Sequence, residues 1–259
     1  MLTTNPFAEV SRFMPDSFMP AFIVVMIILV IAGTLFDVIH KKSARYFMEN
    51  MASAKNRGAS PISSGQKASI AAKTIAEDVL TSGEFCNPKR RIAHLLTMYG
   101  FIIHVVTTAI LVFCEVTSQT TAMLWHIGAI MVAVGGYWFW FFIRVDVTAE
   151  GNSPFRIVKA DMFVLSLLAT VTFALLWSWS QSAGAGLYAV ILFGLYIISS
   201  TILFGGVPWS KFAHMFFKPA AAFEKRLSEA DGSRNNLPPP ADKPTIFGLG
   251  IKREAPKHY

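Results

Sequence analysis

The sequence is poor in charged residues. Only 15% of its 259 residues are Asp, Glu, Lys or Arg, whereas soluble domains carry about 25%. Hydrophobic residues make up 53% of the chain, and its mean hydropathy is +0.47. So little charge, combined with long apolar runs, is typical of membrane proteins. The net charge of +7 does not indicate nucleic-acid binding, because the basic residues lie in loops that flank the apolar runs.

Cysteine is almost absent as well. The chain has two, Cys86 and Cys114, and no CxxC pair. This pattern excludes the cysteine motifs of iron–sulfur clusters and structural zinc sites, and also the CxxCH attachment of c-type haem. A disulfide is not expected, because the two residues fall near opposite sides of the predicted membrane region.

Five apolar runs are long enough to cross a bilayer, which takes about 20 helical residues. They cover residues 20–39, 92–114, 123–143, 162–179 and 187–206. We therefore expect an all-α integral membrane protein with a five-helix transmembrane bundle. Residues 1–19 form an external N-terminal segment, residues 20–219 the membrane domain with a loop at 41–91, and residues 220–259 a tail.

Lysine and arginine alternate strictly between the connecting segments. One lies before the first run, ten lie in residues 41–91, three in 144–160 and nine from 207 onward, while 115–122 and 180–186 have none. The positive-inside rule predicts an N-out, C-in topology, with the large loop and the C-terminus in the cytoplasm. The expected location is a bacterial inner membrane. The tryptophans lie mostly near predicted boundaries, as interfacial aromatics do: Trp125, Trp138, Trp140, Trp177, Trp179 and Trp209.

Two segments outside the spans have patterns of their own. Residues 68–80 carry apolar side chains at helical spacing and are followed by Ser82 and Gly83, which predicts a short helix that ends there. In the tail, a run of three prolines within residues 237–241, LPPPA, precedes an apolar stretch at 246–251. That stretch is either a docking peptide or part of a disordered tail.

Histidines at membrane depth are rare and indicate function. His94 and His214 lie at the same predicted cytoplasmic boundary on different helices, which is the condition for a bis-histidine haem. His104 lies about 15 Å deeper than His94; it is either a ligand or a buried imidazole bonded to a neighbouring helix. His126 lies in the outer half of the third span. His40 is expected to be a boundary residue without a ligand role.

Glycines cluster in the second and third spans. Gly100, Gly128, Gly135 and Gly136 would let a flat macrocycle approach the backbone. They are equally compatible with ordinary close packing between membrane helices.

Two stretches resemble a known family. Residues 89–101, KRRIAHLLTMYGF, followed by His104, and residues 207–219, VPWSKFAHMFFKP, are similar to the nitrate-reductase gamma-subunit type of cytochrome b. Within that superfamily the chain resembles the membrane subunits of sulfur-metabolism redox complexes. These include the membrane anchor of adenylylsulfate reductase and the membrane subunit of the quinone-interacting membrane-bound oxidoreductase. The resemblance covers about residues 20–219.

The resemblance implies two b haems and electron exchange with quinone. His94 and His214 would be the axial ligands of the cytoplasmic-side haem iron. His104 would bind an outer haem, but Tyr196 stands where the family pattern puts its second histidine, and His126 is the candidate replacement. One haem is expected, and a second is left open.

The implied function is electron transfer between the quinone pool and a cytoplasmic flavin or iron–sulfur oxidoreductase of sulfur metabolism. The sequence has no catalytic constellation of its own, so substrate chemistry would belong to that soluble partner. The alternative is a haem-free anchor, in contact with membrane lipid, that tethers a soluble oxidoreductase.

Overall fold

Five long apolar helices dominate the chain. The computed structural model describes residues 2–40, 49, 61–83, 85, 87–114, 118–145, 151, 153–209, 214–232, 246–247 and 251–252. The helices long and apolar enough to span a membrane are α1 (Phe18–His40), α3 (Pro88–Phe113), α4 (Gln119–Trp138), α5 (Met162–Ser182) and α6 (Gly186–Gly205). A π-helical turn at Phe139–Ile143 prolongs α4. The predicted all-α five-helix membrane bundle is confirmed.

The predicted span boundaries are right to within about one turn. The largest differences are at the starts of α3 and α4, which begin four residues before the predicted residues 92 and 123. Asn87 accepts hydrogen bonds from the backbone N–H groups of Lys89 (3.0 Å) and Arg90 (3.4 Å), and Pro88 occupies the first helical position. Asn followed by Pro is a standard helix start, so this signal was present in the sequence.

The chain divides into two compact units. The first consists of Met1–Asp37 and Ile92–Ala213, and the second of Val38–Arg91 and His214–Tyr259. The first unit therefore contains nearly all of the membrane bundle. The second contains the helices α2 (Ser64–Lys73) and α7 (His214–Ala230).

Glycines bring α3 and α4 into backbone contact. A Cβ added at Gly100 would lie 2.7 Å from the carbonyl oxygen of Gly128, and one added at Gly128 would lie 2.7 Å from the backbone nitrogen of His104. At Gly135 the nearest atom would be the carbonyl oxygen of Ala93, again at 2.7 Å. These three glycines therefore serve close helix packing, and they leave no gap for a macrocycle between the two helices.

The N-terminal segment folds into one end of the bundle. A 3-10 helix, Pro6–Arg12, is capped by Asn5, whose side chain accepts a hydrogen bond from the Phe7 N–H at 2.9 Å. Phe7 and Val10 are buried. The Phe7 ring packs edge-on against Trp125 and Trp177, with centroid separations of 5.8 and 5.3 Å.

Two tryptophans differ from expectation. Trp125 and Trp177 have no exposed surface and belong to the core, so their assignment to the membrane interface is wrong. Both lie one to two turns inside their helices, on the side that meets Phe7 and Phe193. Trp179 and Trp209, at 60% and 70% exposed, remain compatible with an interfacial position.

The second unit is held together by an ion-pair cluster. The predicted helix at 68–80 is confirmed. It begins earlier than predicted, at Ser64 in α2, because Ser63 and Gln66 form a capping box there. It continues as a π-helical turn, Thr74–Leu80. Arg226 on α7 binds Asp78 at 2.7 and 3.0 Å and Glu77 at 2.8 Å; these carboxylates raise the pKa of Arg226 further.

The tail has a short ladder of strands. β1 (Ile246–Phe247) pairs antiparallel with β2 (Ile251–Lys252). The proline-containing residues 237–241 lie outside the described residues, as does Cys86. Cys114 is a free, exposed thiol.

Candidate functional site: a buried histidine cluster

The structure brings His104 and His126 into one cluster inside the first unit. His104 lies on α3 and His126 on α4, and both rings pack against the Trp125 side chain, at centroid distances of 4.7 and 4.8 Å. His94 is half-buried in the second turn of α3. His214 is the first residue of α7, and its side chain is outside the described residues. The His94–His214 haem pair therefore stays a prediction.

His104 has a fixed orientation and an unused nitrogen. Its side chain is 4% exposed, and its Nδ1 lies 3.1 Å from the backbone carbonyl oxygen of Trp125. Because a carbonyl oxygen can only accept a hydrogen bond, Nδ1 carries the proton in the neutral ring, and Nε2 carries a lone pair. Nε2 has no hydrogen-bond partner. A buried acceptor without a hydrogen-bond partner costs about 1–3 kcal/mol of stability. A neutral imidazole with a free nitrogen lone pair is also the form that binds a metal.

A closed chain of hydrogen bonds holds this geometry. The indole N–H of Trp125 donates to Thr108 Oγ1 at 2.8 Å, and the Thr108 hydroxyl donates to the His104 backbone carbonyl at 2.7 Å. The chain returns from His104 Nδ1 to the Trp125 carbonyl. The two helices are therefore linked by side-chain bonds at the level where their glycines touch, and the His104 ring has little freedom to turn.

His126 uses both of its ring nitrogens. It has no exposed surface. Its Nδ1 lies 2.7 Å from the Ala122 carbonyl oxygen, so Nδ1 is the donor, and its Nε2 accepts from Ser178 Oγ at 2.7 Å. This second bond links α4 to α5. For His126 to bind iron, its bond to Ser178 would first have to break.

Aromatic side chains fill the same end of the bundle. Trp177 lies 4.9 Å from Phe193 and stacks on Tyr196 at 5.6 Å with an interplanar angle of 20°. Tyr196 is the residue found where the resemblance expects a histidine, and it is 4% exposed. Tyr196 on α6 therefore belongs to the same core as Trp125. The Trp125 ring in turn packs against the His104 ring.

The cluster fits a haem only in part. His104 presents one lone pair, as an axial ligand must, but His126 does not in this packing. Among the described residues, no group of three or more His, Cys, Asp and Glu could hold a metal ion. The surface has two cavities of about 360 Å³, one beside the N-terminal 3-10 helix and one in the second unit, and none of the histidines whose side chains the structure describes lines either one. A second haem on His104 and His126 stays a prediction, and it would require Ser178 and Trp125 to move.

Sequence reasoning missed a buried ion pair at the other end of the bundle. Arg144, 2% exposed, follows the last turn of the third span, and Asp161 immediately precedes α5. The Arg144 guanidinium bonds Asp161 Oδ2 at 2.5 Å and lies 4.1 Å from the centroid of the Trp140 ring. The sequence signal that could have predicted this ion pair is an arginine directly after one span and an aspartate directly before the next.

Comparison of the chain with protein-family models, with curated proteins and with solved structures finds no match. The family resemblance therefore stays a prediction from the sequence.

Proposed function

We propose that the chain is the membrane-anchoring b-type cytochrome subunit of an oxidoreductase complex. It passes electrons between the quinone pool and a cytoplasmic flavin or iron–sulfur oxidoreductase of sulfur metabolism. The observation that carries the proposal is the His104 imidazole, which is buried among membrane helices with Nδ1 held by a carbonyl and Nε2 unused. Metal-binding histidines typically have this arrangement, because the second nitrogen's hydrogen bond fixes the ring and raises its basicity.

The residues assigned to haem binding are the four histidines. His94 and His214 would hold one haem on the basic side, and His104 would hold a second, with His126 as its candidate mate. A bound b haem supplies reversible one-electron transfer. The Trp125 carbonyl would orient the His104 ring, and the aromatic core would exclude water from it.

The proposed orientation is N-out, C-in in a bacterial plasma membrane. Its support is the distribution of 22 of the 23 Lys and Arg residues in residues 41–91, 144–160 and 207–259. The second unit, which contains α2 and α7, would then lie on the cytoplasmic side. Its basic surface would be available to an acidic redox partner.

The alternative is a haem-free membrane anchor that tethers a soluble oxidoreductase. Two observations favour it. His126 Nε2 already accepts a hydrogen bond from Ser178. The rings of Phe7, Trp125 and Trp177 fill the end of the bundle near His104. An anchor needs only the bundle and a docking surface.

A difference spectrum separates the two functions. In the purified protein, a dithionite-reduced minus oxidised spectrum should show a b-type haem signal. His94→Ala should remove the signal of one haem, and His104→Ala that of a second haem if one is bound. His40→Ala is the matched control and should leave the spectrum unchanged. Full-length, folded protein without any haem signal would favour the anchor, and pyridine haemochrome per mole of protein would count the haems.

A further inference from the structure

The ion pair of Arg144 and Asp161 shapes the connection between α4 and α5. Besides Asp161, the Arg144 guanidinium donates to the backbone carbonyl of Ser153 at 3.1 Å and to that of Arg156 at 2.7 Å. Asp161 Oδ2 also accepts from the Val158 N–H at 2.9 Å. Three described backbone groups of this connection, the carbonyls of Ser153 and Arg156 and the N–H of Val158, therefore bind one buried charge pair.

The side chains of residues 155–159 point outward as a result. We call these residues the interfacial segment. Phe155 is 89% exposed, Ile157 65% and Val158 45%, and the two remaining residues, Arg156 and Lys159, are exposed as well. Three large apolar side chains held outward on one short connection are unusual for a surface in contact with water.

The segment is also held at the end of the membrane spans. The guanidinium that binds the Arg156 carbonyl packs over Trp140, which lies in the final turn of the third span. Asp161 directly precedes Met162, the first residue of α5. The interfacial segment therefore lies within a few side-chain lengths of both helix ends.

We propose that the interfacial segment inserts into the headgroup layer of the membrane and binds anionic lipid. The apolar side chains would enter the upper acyl region, continuous with the lipid-facing sides of α4 and α5. Arg156 and Lys159 would meet lipid phosphates, as basic and aromatic side chains do at membrane interfaces. The inward hydrogen bonds matter here, because backbone groups cannot be left unsatisfied near hydrocarbon. The proposal does not depend on haem binding.

The test is a depth measurement by fluorescence in lipid vesicles. Phe155→Cys and Ile157→Cys, each in a variant without other cysteines, are labelled with an environment-sensitive probe. The vesicles contain phosphatidylcholine with or without phosphatidylglycerol, and a series contains brominated lipids that quench at known depths. Lys67→Cys on α2 is the aqueous control, and Ile28→Cys, at a 57% exposed position within α1, is the deep control.

The probes at 155 and 157 should show blue-shifted emission and strong quenching by bromine near the glycerol level. The probe at 28 should be quenched best by deeper bromine, and that at 67 hardly at all. Emission and quenching at 155 and 157 equal to those of the aqueous control would overturn the proposal and indicate a protein-docking loop instead.

The anionic-lipid part has its own variant. Phosphatidylglycerol should increase the blue shift at position 155, and Arg156→Gln combined with Lys159→Gln should remove that increase. A blue shift that does not respond to phosphatidylglycerol in the protein with both charges would overturn this part.

Discussion

The contact between α3 and α4 can be tested at Gly100. An alanine there would place its Cβ 2.7 Å from both the Gly128 carbonyl oxygen and the Met131 Cβ, and 2.9 Å from the Val132 nitrogen. Two of these three atoms belong to the backbone of α4, so rotating a side chain cannot relieve the overlap. Ordinary contact begins at 3.4 Å, so the helices must separate by several tenths of an ångström.

The expected cost follows from this overlap. Overpacking in a close-packed core costs about 1–3 kcal/mol, and the better helix preference of alanine offsets about 0.5–1 kcal/mol of it. The two ranges combine to a net loss of about 0–2.5 kcal/mol, centred near 1 kcal/mol, in the free energy of unfolding of Gly100→Ala. Gly194→Ala on α6 is the matched control. Its Cβ would meet no atom within 4 Å, so it should be neutral or slightly stabilising.

The assay is unfolding in mixed micelles with increasing SDS, followed by tryptophan fluorescence. Trp125 and Trp177 report on it directly, because both have no exposed surface in the folded state. If Gly100→Ala unfolds at the same SDS fraction as Gly194→Ala, the two helices do not meet backbone to backbone, and the reasoning is refuted.

Three further changes should alter stability. Arg144→Gln should cost about 3 kcal/mol, because it leaves a largely buried carboxylate without its cation; Arg12→Gln, at an exposed pair, should cost less than about 1 kcal/mol by the same SDS assay. Ser178→Ala should cost about 1–3 kcal/mol by leaving the His126 acceptor unpaired, and equal stability to the parent would contradict that hydrogen bond. Burial raises the pKa of Glu224, so its charged form opposes folding and stability falls as pH rises through the folded pKa. Glu224→Gln should therefore raise the thermal midpoint at pH 7, and this gain should vanish below about pH 4, where the unfolded carboxyl is also protonated.

The membrane helices were predictable because their signal is local. A run of about 20 apolar residues must form a helix in lipid, since no other open backbone conformation satisfies its own hydrogen bonds there. The short helix at residues 68–80 was predictable for a similar reason, because apolar spacing and a following Ser-Gly are both read within a dozen residues. Its earlier start needed the Ser63–Gln66 capping box, which was also in the sequence.

The roles of individual aromatic and histidine residues were not predictable in this way. Distance from a predicted boundary placed Trp125 and Trp177 at the interface. In the structure their rings contact each other and Phe7 packs against both, so they belong to the core. Helical position alone left His104 open between a ligand and a bonded imidazole. The structure gives it a bond to Trp125 on one nitrogen and none on the other.

The sequence by itself determined the class of protein, the number of membrane helices and their approximate ends. These depend on the transfer of side chains and backbone into lipid, which is a sum over neighbouring residues. Only the tertiary structure decided that the glycines bring α3 and α4 into contact and that Ser178 hydrogen-bonds His126 Nε2. It also decided that the bonds of Arg144 leave the side chains of residues 155–159 exposed. Each of these depends on which faces of distant segments meet, and hydropathy carries no information about that.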